Sequence, residues 1–238
     1  MSAQATIAPV ATTFLAVADF AVAQDFHIAS VYLPSLPVAL YVLGLGLGPL
    51  YLAPCSEMYG RRIVYLVAFL LFTILNAGCA LAPDMATLVV LRLLSGMAGS
   101  VGPVLGAGTI SDMFEPKLRG KAQAIYGLGP QAGPVLGGVI GGFLLEATGS
   151  WRWLLWIMTV ASGLMSLITF ILLRESYDHF LLEQKAKKLR KESGNNNYKV
   201  DTSSSARPRE LFLHSITRPL RMLLTAPICT VLSLYTSL

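Results

Sequence analysis

The strongest constraint on the fold is an uncharged run at residues 122–145, which is long enough to cross a lipid bilayer as a helix. Glycines recur in it at every fourth position and share one helical face: Gly129, Gly133, Gly137 and Gly141, with Gly138 and Gly142 beside them. Such a face lets a second helix come close in lipid, where packing drives association. Because Pro130 and Pro134 remove backbone donors that lipid does not replace, we expect this face to be buried in protein or to line a wet cavity. The glycine face is interpreted either as a plain helix contact or as a functional surface.

The rest of the composition agrees with a membrane protein. Of the 238 residues, 54% are hydrophobic and 13% are charged, about half the charged share of a soluble domain. The apolar residues occur in blocks rather than in alternation, which predicts an all-α, polytopic membrane protein. Cys55, Cys79 and Cys229 lie singly in apolar segments, so we interpret them as small apolar residues and expect no metal, cofactor or disulfide framework. The first residues lack the pattern of a signal peptide, and none is expected.

Six spans are predicted in the first 173 residues, which we treat as one bundle domain. They lie at residues 1–20, 33–53, 63–82, 86–110, 122–145 and 153–173. The first is the weakest and is expected to be degraded or shortened, because Gln4, Pro9 and Asp19 interrupt it. His27, in the polar loop that follows, is interpreted as a solvated residue.

The remaining chain is different in composition. Residues 174–221 are polar and basic and are expected to form a soluble connector. Its first part, residues 177–191, fits either an amphipathic helix at the membrane surface or a solvated basic helix. Residues 222–238 form a 17-residue apolar segment, which is expected to be a truncated seventh span.

The positions of lysine and arginine give an orientation. If six spans alternate, 16 of the 18 basic residues fall on one side of the membrane. Only Arg152 falls on the other side, and Arg92 lies within a span. Because basic residues concentrate on the cytosolic side, the N-terminus and the connector are predicted to be cytosolic. This placement accounts for the net charge of +5 without a nucleic-acid partner.

Arg92 is the one formal charge deep inside a predicted span. Arginine at the bilayer centre costs at least about 2.5 to 3.5 kcal/mol, so it should face the bundle interior or water. Gly96, Gly99 and Pro103 share its helical face. An arginine that snorkels to the outer surface remains the alternative. A guanidinium does not titrate at ordinary pH, so it can only bias a neighbouring acid or hold a carbonyl.

A charged turn separates the second and third spans, with Glu57, Gly60, Arg61 and Arg62. Gly60 permits the turn, and the charges can form a local ion-pair network at the membrane face. Taken alone, the turn is best explained as a charged stop between two spans.

Several further motifs occur in one order. They read LAPCSEMYGRR at 52–62, LRLLSGMAGS at 91–100, SDMFEPKLRGKA at 111–122, GxxxGPxxGG at 129–138, WRW at 151–153 and LLEQKAKKLRKESGN at 181–195. Over residues 30–221 the set resembles the major facilitator superfamily, specifically the fungal drug:proton antiporter branch related to polyamine and multidrug exporters.

The resemblance implies a fold and roles. Such carriers have about twelve spans in two halves with the substrate between them. The resemblance of the fourth-span motif implies that Arg92 takes part in proton coupling. The fifth-span antiporter motif, taken to favour export, matches Gly129, Gly133, Pro134, Gly137 and Gly138. The second-to-third-span turn implies a cytosolic gate formed by Glu57, Gly60, Arg61 and Arg62.

The chain departs from the family in three places. Ala53 stands where the family has glycine, residues 1–20 preserve little of the family's first span, and only the first half and the start of a seventh span are present. The expected fold is therefore the N-terminal six-helix half of a major facilitator carrier, built as two three-helix inverted units.

The expected function is proton-coupled export of small amphipathic or cationic compounds, such as drugs or polyamines, by alternating access. A non-transporting fragment that binds the missing half or a full-length carrier is the first alternative, and an uptake facilitator of the same fold is the second. The expected location is the plasma membrane. No nucleophile motif, phosphate loop or His/Cys/Asp cluster is present, so we predict no enzyme activity.

Overall fold

The computed structural model of the protein describes residues 2–27 and 32–172, where all regular structure is helical. Five helical stretches are long and apolar enough to cross a bilayer, and a bent helix pair at the N-terminus makes a sixth if it counts as one span. The predicted all-α, polytopic architecture is therefore confirmed. The predicted connector, its amphipathic helix and the truncated seventh span lie outside the described residues.

The described residues form eight helices. They are α1 (Ser2–Val17), α2 (Asp19–Asp25), α3 (Leu36–Tyr59), α4 (Arg61–Ala80), α5 (Met85–Gly99), α6 (Val101–Met113), α7 (Pro116–Thr148) and α8 (Trp151–Leu172). The α1–α2 pair bends by 55° and corresponds to the first predicted span. His27 follows it and is exposed.

The charged segments that were expected to be loops are largely helical. The charged segment between the fourth and fifth predicted spans, residues 111–121, belongs to α6 and α7 except for Phe114 and Glu115. Likewise, α3 continues beyond residue 53, the predicted end of its span, to Tyr59. Charge marks where a helix leaves the hydrocarbon, but water and headgroups solvate charged side chains without breaking backbone hydrogen bonds, so the helix continues.

The fourth predicted span consists of two helices, α5 and α6, which meet at Ser100. Pro103 has no backbone N–H, so the carbonyl of Gly99 loses its usual helical partner at this point. The Ser100 hydroxyl donates to the Met97 carbonyl oxygen at 2.8 Å. By its length and hydropathy, the segment at residues 85–111 is still one candidate span.

Close backbone packing joins α3 to α5. Gly96 of α5 lies directly against the backbone of Tyr41, and Gly44 of α3 lies against the carbonyl of Leu93, so a Cβ at either glycine would overlap its neighbour. Small residues let helices approach in this way in lipid. The contact brings the side chain of Tyr41 into the bundle interior, where it is fully buried.

A second close contact joins α1 to α7, and we call it the α1–α7 seam: Gly129, Gly133, Gly137 and Gly141 of α7 against residues 2–14 of α1. A Cβ on Gly133 would lie 2.8 Å from Cβ of Pro9 and 3.1 Å from the Thr6 carbonyl oxygen. Gly133, Gly137 and Gly141 are buried. The first predicted span is thus the helix that covers the glycine face.

Gly133→Ala is expected to destabilise the bundle by about 1–3 kcal/mol, because the added methyl group overpacks the seam. Gly138→Ala is the matched control on the same helix, since a Cβ there meets nothing within 4 Å. Alanine favours helix over glycine, so the control should be neutral or stabilising. Thermal unfolding of both purified variants, followed by circular dichroism, gives the comparison. Equal loss in the two variants would contradict the assignment of the seam.

Candidate functional site

Arg92 lies in the bundle interior with 1% of its surface exposed. Ser95, Gly96 and Gly99 are buried on the same side of α5. The predicted inward orientation is therefore what the structure has, and the alternative of a snorkelling side chain is wrong. The small residues beside Arg92 bring α3 close enough for the guanidinium to be enclosed by protein.

The guanidinium is poorly compensated for a buried cation. Its Nη1 donates one long hydrogen bond, 3.4 Å, to the carbonyl oxygen of Ala11 on α1. Its central carbon lies 5.5 Å from the ring centroid of Tyr41, a cation–π contact. Its Nε and Nη2 have no hydrogen-bond partner among the described residues. Buried unpaired donors on a charged group are costly, so this arrangement is not explained by stability.

Three helices meet around Arg92. The Tyr41 hydroxyl of α3 donates to the Ala8 carbonyl oxygen of α1 at 3.1 Å, and Arg92 of α5 bonds Ala11 one turn further along α1. Helical spacing puts Ala8 and Ala11 on the side of α1 away from Thr6, Val10 and Thr13, which face the seam. One helix, α1, therefore contacts both the glycine face and the buried cation.

The antiporter motif is only partly engaged. Gly129, Gly133 and Gly137 contact α1, whereas Pro134 is exposed and a Cβ on Gly138 would meet no described atom within 4 Å. The motif therefore has three glycines packed against α1 and two residues, Pro134 and Gly138, that no described helix covers. A helix presents each residue 100° from the previous one, so neighbours such as Gly137 and Gly138 cannot face the same partner.

The predicted cytosolic gate lies between α3 and α4. Gly60 takes φ 89°, a left-handed value that favours glycine. The Arg61 guanidinium lies against Gly108 of α6, and Arg62 Nη2 donates to the Phe170 carbonyl oxygen of α8 at 3.2 Å. The side chain of Glu57 lies outside what the structure describes. The two arginines thus link the start of α4 to helices on either side.

A cluster at the opposite end was not predicted. Asp25 Oδ2 accepts a hydrogen bond from Trp151 Nε1 at 3.1 Å and pairs with Arg152. Phe26 packs on the Trp151 ring with centroids 5.8 Å apart. In the sequence, Arg152 is the one basic residue on the outer side, and that isolation is the signal that could indicate an acidic partner. The cluster fastens the end of α2 to the start of α8.

The family model of the Major Facilitator Superfamily matches residues 2–238. The efflux pump radE of Floropilus chiversii is 42% identical over 230 residues, covering 96% of this chain and 42% of the relative. The MFS-type transporter penM of Penicillium rubens is 43% identical over 212 residues, covering 89% and 42%. The chain therefore spans less than half the length of these curated relatives.

A solved structure shows the same fold. An inward-open conformation of the xylose transporter XylE from E. coli superposes with a TM-score of 0.66 at 19% identity, covering 94% of this chain and 55% of that one. Identity at this level supports the fold alone. The bundle corresponds to about half of such a carrier.

Arg92→Met is expected to leave the stability of the bundle unchanged or to raise it, because a well-packed apolar side chain removes an uncompensated buried charge. Arg92→Lys, which keeps the charge on a different shape, is the control and should be no more stable than the natural chain. Thermal unfolding of the purified chain gives the ranking. A loss of more than about 1 kcal/mol in the methionine variant would identify Arg92 as a structural residue.

Proposed function

The chain belongs to the major facilitator superfamily, and we propose that it provides the N-terminal half of a carrier that exports small amphipathic compounds in exchange for protons. Support comes from fungal relatives that carry the names efflux pump and MFS-type transporter. We place the carrier in the plasma membrane with the basic connector in the cytosol, as the positive-inside bias favours. Transport then proceeds by rocking one half against the other around a site near the midplane.

One observation carries the proposal: α1 packs on the glycine seam and also provides the carbonyl that Arg92 binds. A smooth glycine face permits a shift of α1 with little steric resistance. Such a shift withdraws the Ala11 carbonyl from a guanidinium that already has two unpaired nitrogens. The freed guanidinium then presents its donors to the substrate path.

Arg92 acts in this mechanism as a fixed cation. Because a guanidinium keeps its proton, it lowers the proton affinity of an acid that approaches it, or it holds an acceptor on the substrate. Arg92 forms no ion pair with a carboxylate among the described residues. We therefore assign the titrating acid to another part of the carrier or to the substrate, while Gly60, Arg61 and Arg62 guide the cytosolic closure.

Proton-driven flux in proteoliposomes tests this coupling role. The protein used is a chimera that joins this bundle to the C-terminal half of the efflux pump radE. An imposed pH difference should drive dye or drug movement, and Arg92→Ala should reduce that movement about 100-fold or more while leaving the amount of inserted protein unchanged. Arg92→Lys should retain part of the flux because the charge remains. Unchanged proton-driven flux in the alanine variant would refute the coupling role.

The same vesicles distinguish the alternatives. The 238-residue chain alone covers less than half of its relatives, which favours a non-transporting fragment as the second candidate. If the chain alone gives no flux above empty vesicles but the chimera transports, the fragment alternative holds for this chain. Net movement down the substrate gradient without a pH difference would instead favour an uptake facilitator.

Substrate charge gives a separate prediction. Since the described interior presents a cation without a carboxylate beside it, acidic or carbonyl-rich compounds should compete for transport better than polyamines. In the chimera we expect at least about a tenfold difference in half-inhibitory concentration, equivalent to ~1.4 kcal/mol. Arg92→Met should remove most of that difference. Equal competition by spermidine and by a carboxylate of similar size would contradict the assignment.

A further inference from the structure

Asn76 of α4 is a second buried polar residue in the bundle interior, with 0% of its surface exposed. Its Nδ2 donates to the Phe72 carbonyl oxygen, one turn earlier on the same helix, at 2.8 Å. That bond fixes which end of the amide is the oxygen, because only the nitrogen can donate. Its Oδ1 is buried and has no partner among the described residues. A buried amide oxygen is costly without a donor, so a donor beside it is expected.

Four helices converge one turn before Asn76. The Phe72 ring of α4 and the Tyr41 hydroxyl of α3 lie 2.9 Å and 3.1 Å from the position of a Cβ on Gly99 of α5. The same hydroxyl donates to the Ala8 carbonyl oxygen of α1. Gly99, Ala8 and Phe72 therefore mark one level of the bundle, where α1, α3, α4 and α5 meet.

The next turn of the bundle holds both Asn76 and the Arg92 guanidinium. Consecutive spans alternate in direction, so α1 and α4, in the first and third spans, run the same way. One turn further along α1, the Ala11 carbonyl oxygen accepts from Arg92 Nη1, and one turn further along α4 lies Asn76. Cys79, on the same face of α4, is close enough to Arg92 for an electrostatic interaction. The buried cation and the amide oxygen therefore lie at one level of the interior.

The donors of Arg92 that lack a described partner form one edge of its planar guanidinium. Nε and Nη2 present parallel N–H groups on the edge that does not include Nη1. The structure shows no direct bond between this edge and Asn76 Oδ1. One water molecule can accept from both N–H groups and donate to Oδ1, which gives it about three hydrogen bonds, the usual number for water buried in protein. Such a bridge is nearly as favourable as a direct bond.

We propose that Asn76 positions Arg92 through one buried water molecule, which accepts from the Nε–Nη2 edge and donates to Asn76 Oδ1. Both residues are enclosed by the described helices, so the site does not depend on the part of the carrier outside this chain. Arg92 then has a partner on either side, Ala11 of α1 and, through the water, Asn76 of α4. Because a water molecule exchanges, the guanidinium can move when α1 shifts; only that consequence rests on the proposed function.

A double-mutant cycle on the purified 238-residue chain tests whether Asn76 acts through Arg92. Asn76→Leu should lower the Tm of the natural chain, whose guanidinium loses the bridge, and should leave unchanged or raise the Tm of the Arg92→Met chain. The two effects should differ by at least about 4 °C. Thr73→Val is the matched control, because Thr73 of α4 donates to the Ser162 hydroxyl of α8 at 3.0 Å. Its effects in the two backgrounds should agree within about 2 °C.

A charged substitution gives a readout that a role in packing alone would not move. Asn76→Asp places a carboxylate where Arg92 can pair with it, so at pH 8 the Tm of the natural chain should change little. In the Arg92→Met chain the same substitution should lower the Tm by at least about 6 °C, because the buried carboxylate has no cation beside it.

Pulsed X-ray radiolysis detects the water itself, since hydroxyl radicals formed from a bound water oxidise the side chains next to it. Cys79 is buried one turn from Asn76 and should be oxidised in the natural chain. Asn76→Leu and Arg92→Met each remove partners of the water, so each should reduce that oxidation about fivefold or more. The Arg92 variant keeps this test independent of whether Asn76→Leu folds. Cys55, which is partly exposed, is the internal control and should react equally in all three chains.

The proposal is overturned if Asn76→Leu has the same effect with and without Arg92, or if Asn76→Asp is tolerated equally in the two backgrounds. It is also overturned if Cys79 oxidation is the same in the natural chain and in both variants. A chimera that does not transport would refute the proposed function and would leave these three results unchanged.

Discussion

The structure depends on the position of α1, which is held by the glycine seam. Because Gly129, Gly133 and Gly137 have no side chains, α1 approaches α7 until its own Ser2, Thr6, Pro9 and Thr13 contact the α7 backbone region. That approach fixes the opposite side of α1, where the Ala8 carbonyl accepts from Tyr41 and the Ala11 carbonyl accepts from Arg92. The packing of the small residues therefore also determines which groups surround the buried charge.

Hydrocarbon surroundings explain why most polar groups in the bundle are paired between helices or with the backbone. Gln4 of α1 bonds Thr169 of α8, Thr73 of α4 bonds Ser162 of α8 at 3.0 Å, and Tyr126 of α7 donates to the Gly102 carbonyl oxygen of α6 at 2.7 Å. Lipid provides no water for an unpaired polar group at this depth. Arg92 is an exception, because its buried guanidinium has two nitrogens without a partner among the described residues. That exception fits the proposed shift of α1, which changes the partner of the guanidinium.

Physical reasons separate what could be predicted from what could not. The spans followed from uncharged runs, since each backbone group must be satisfied within a helix. The inward direction of Arg92 followed from the cost of a charge in lipid. The helix ends could not be predicted from the uncharged runs, because the charged segment 116–121 remains helical in α7 outside the hydrocarbon. Nor could the pairing of Asp25 with Trp151 and Arg152, because these residues are more than 120 positions apart and only the fold joins them.

The sequence by itself determined that this is a helical membrane bundle with one interior cation and a glycine face, and its motifs identified the half of the carrier that it forms. Only the tertiary structure decided that the weak first span covers the glycine face, that Gly138 stays open, and that Arg92 has a carbonyl rather than a carboxylate for a partner. Periodicity states which residues share a face of one helix. The helix opposite that face depends on how all the helices pack at once, and no single segment contains that information.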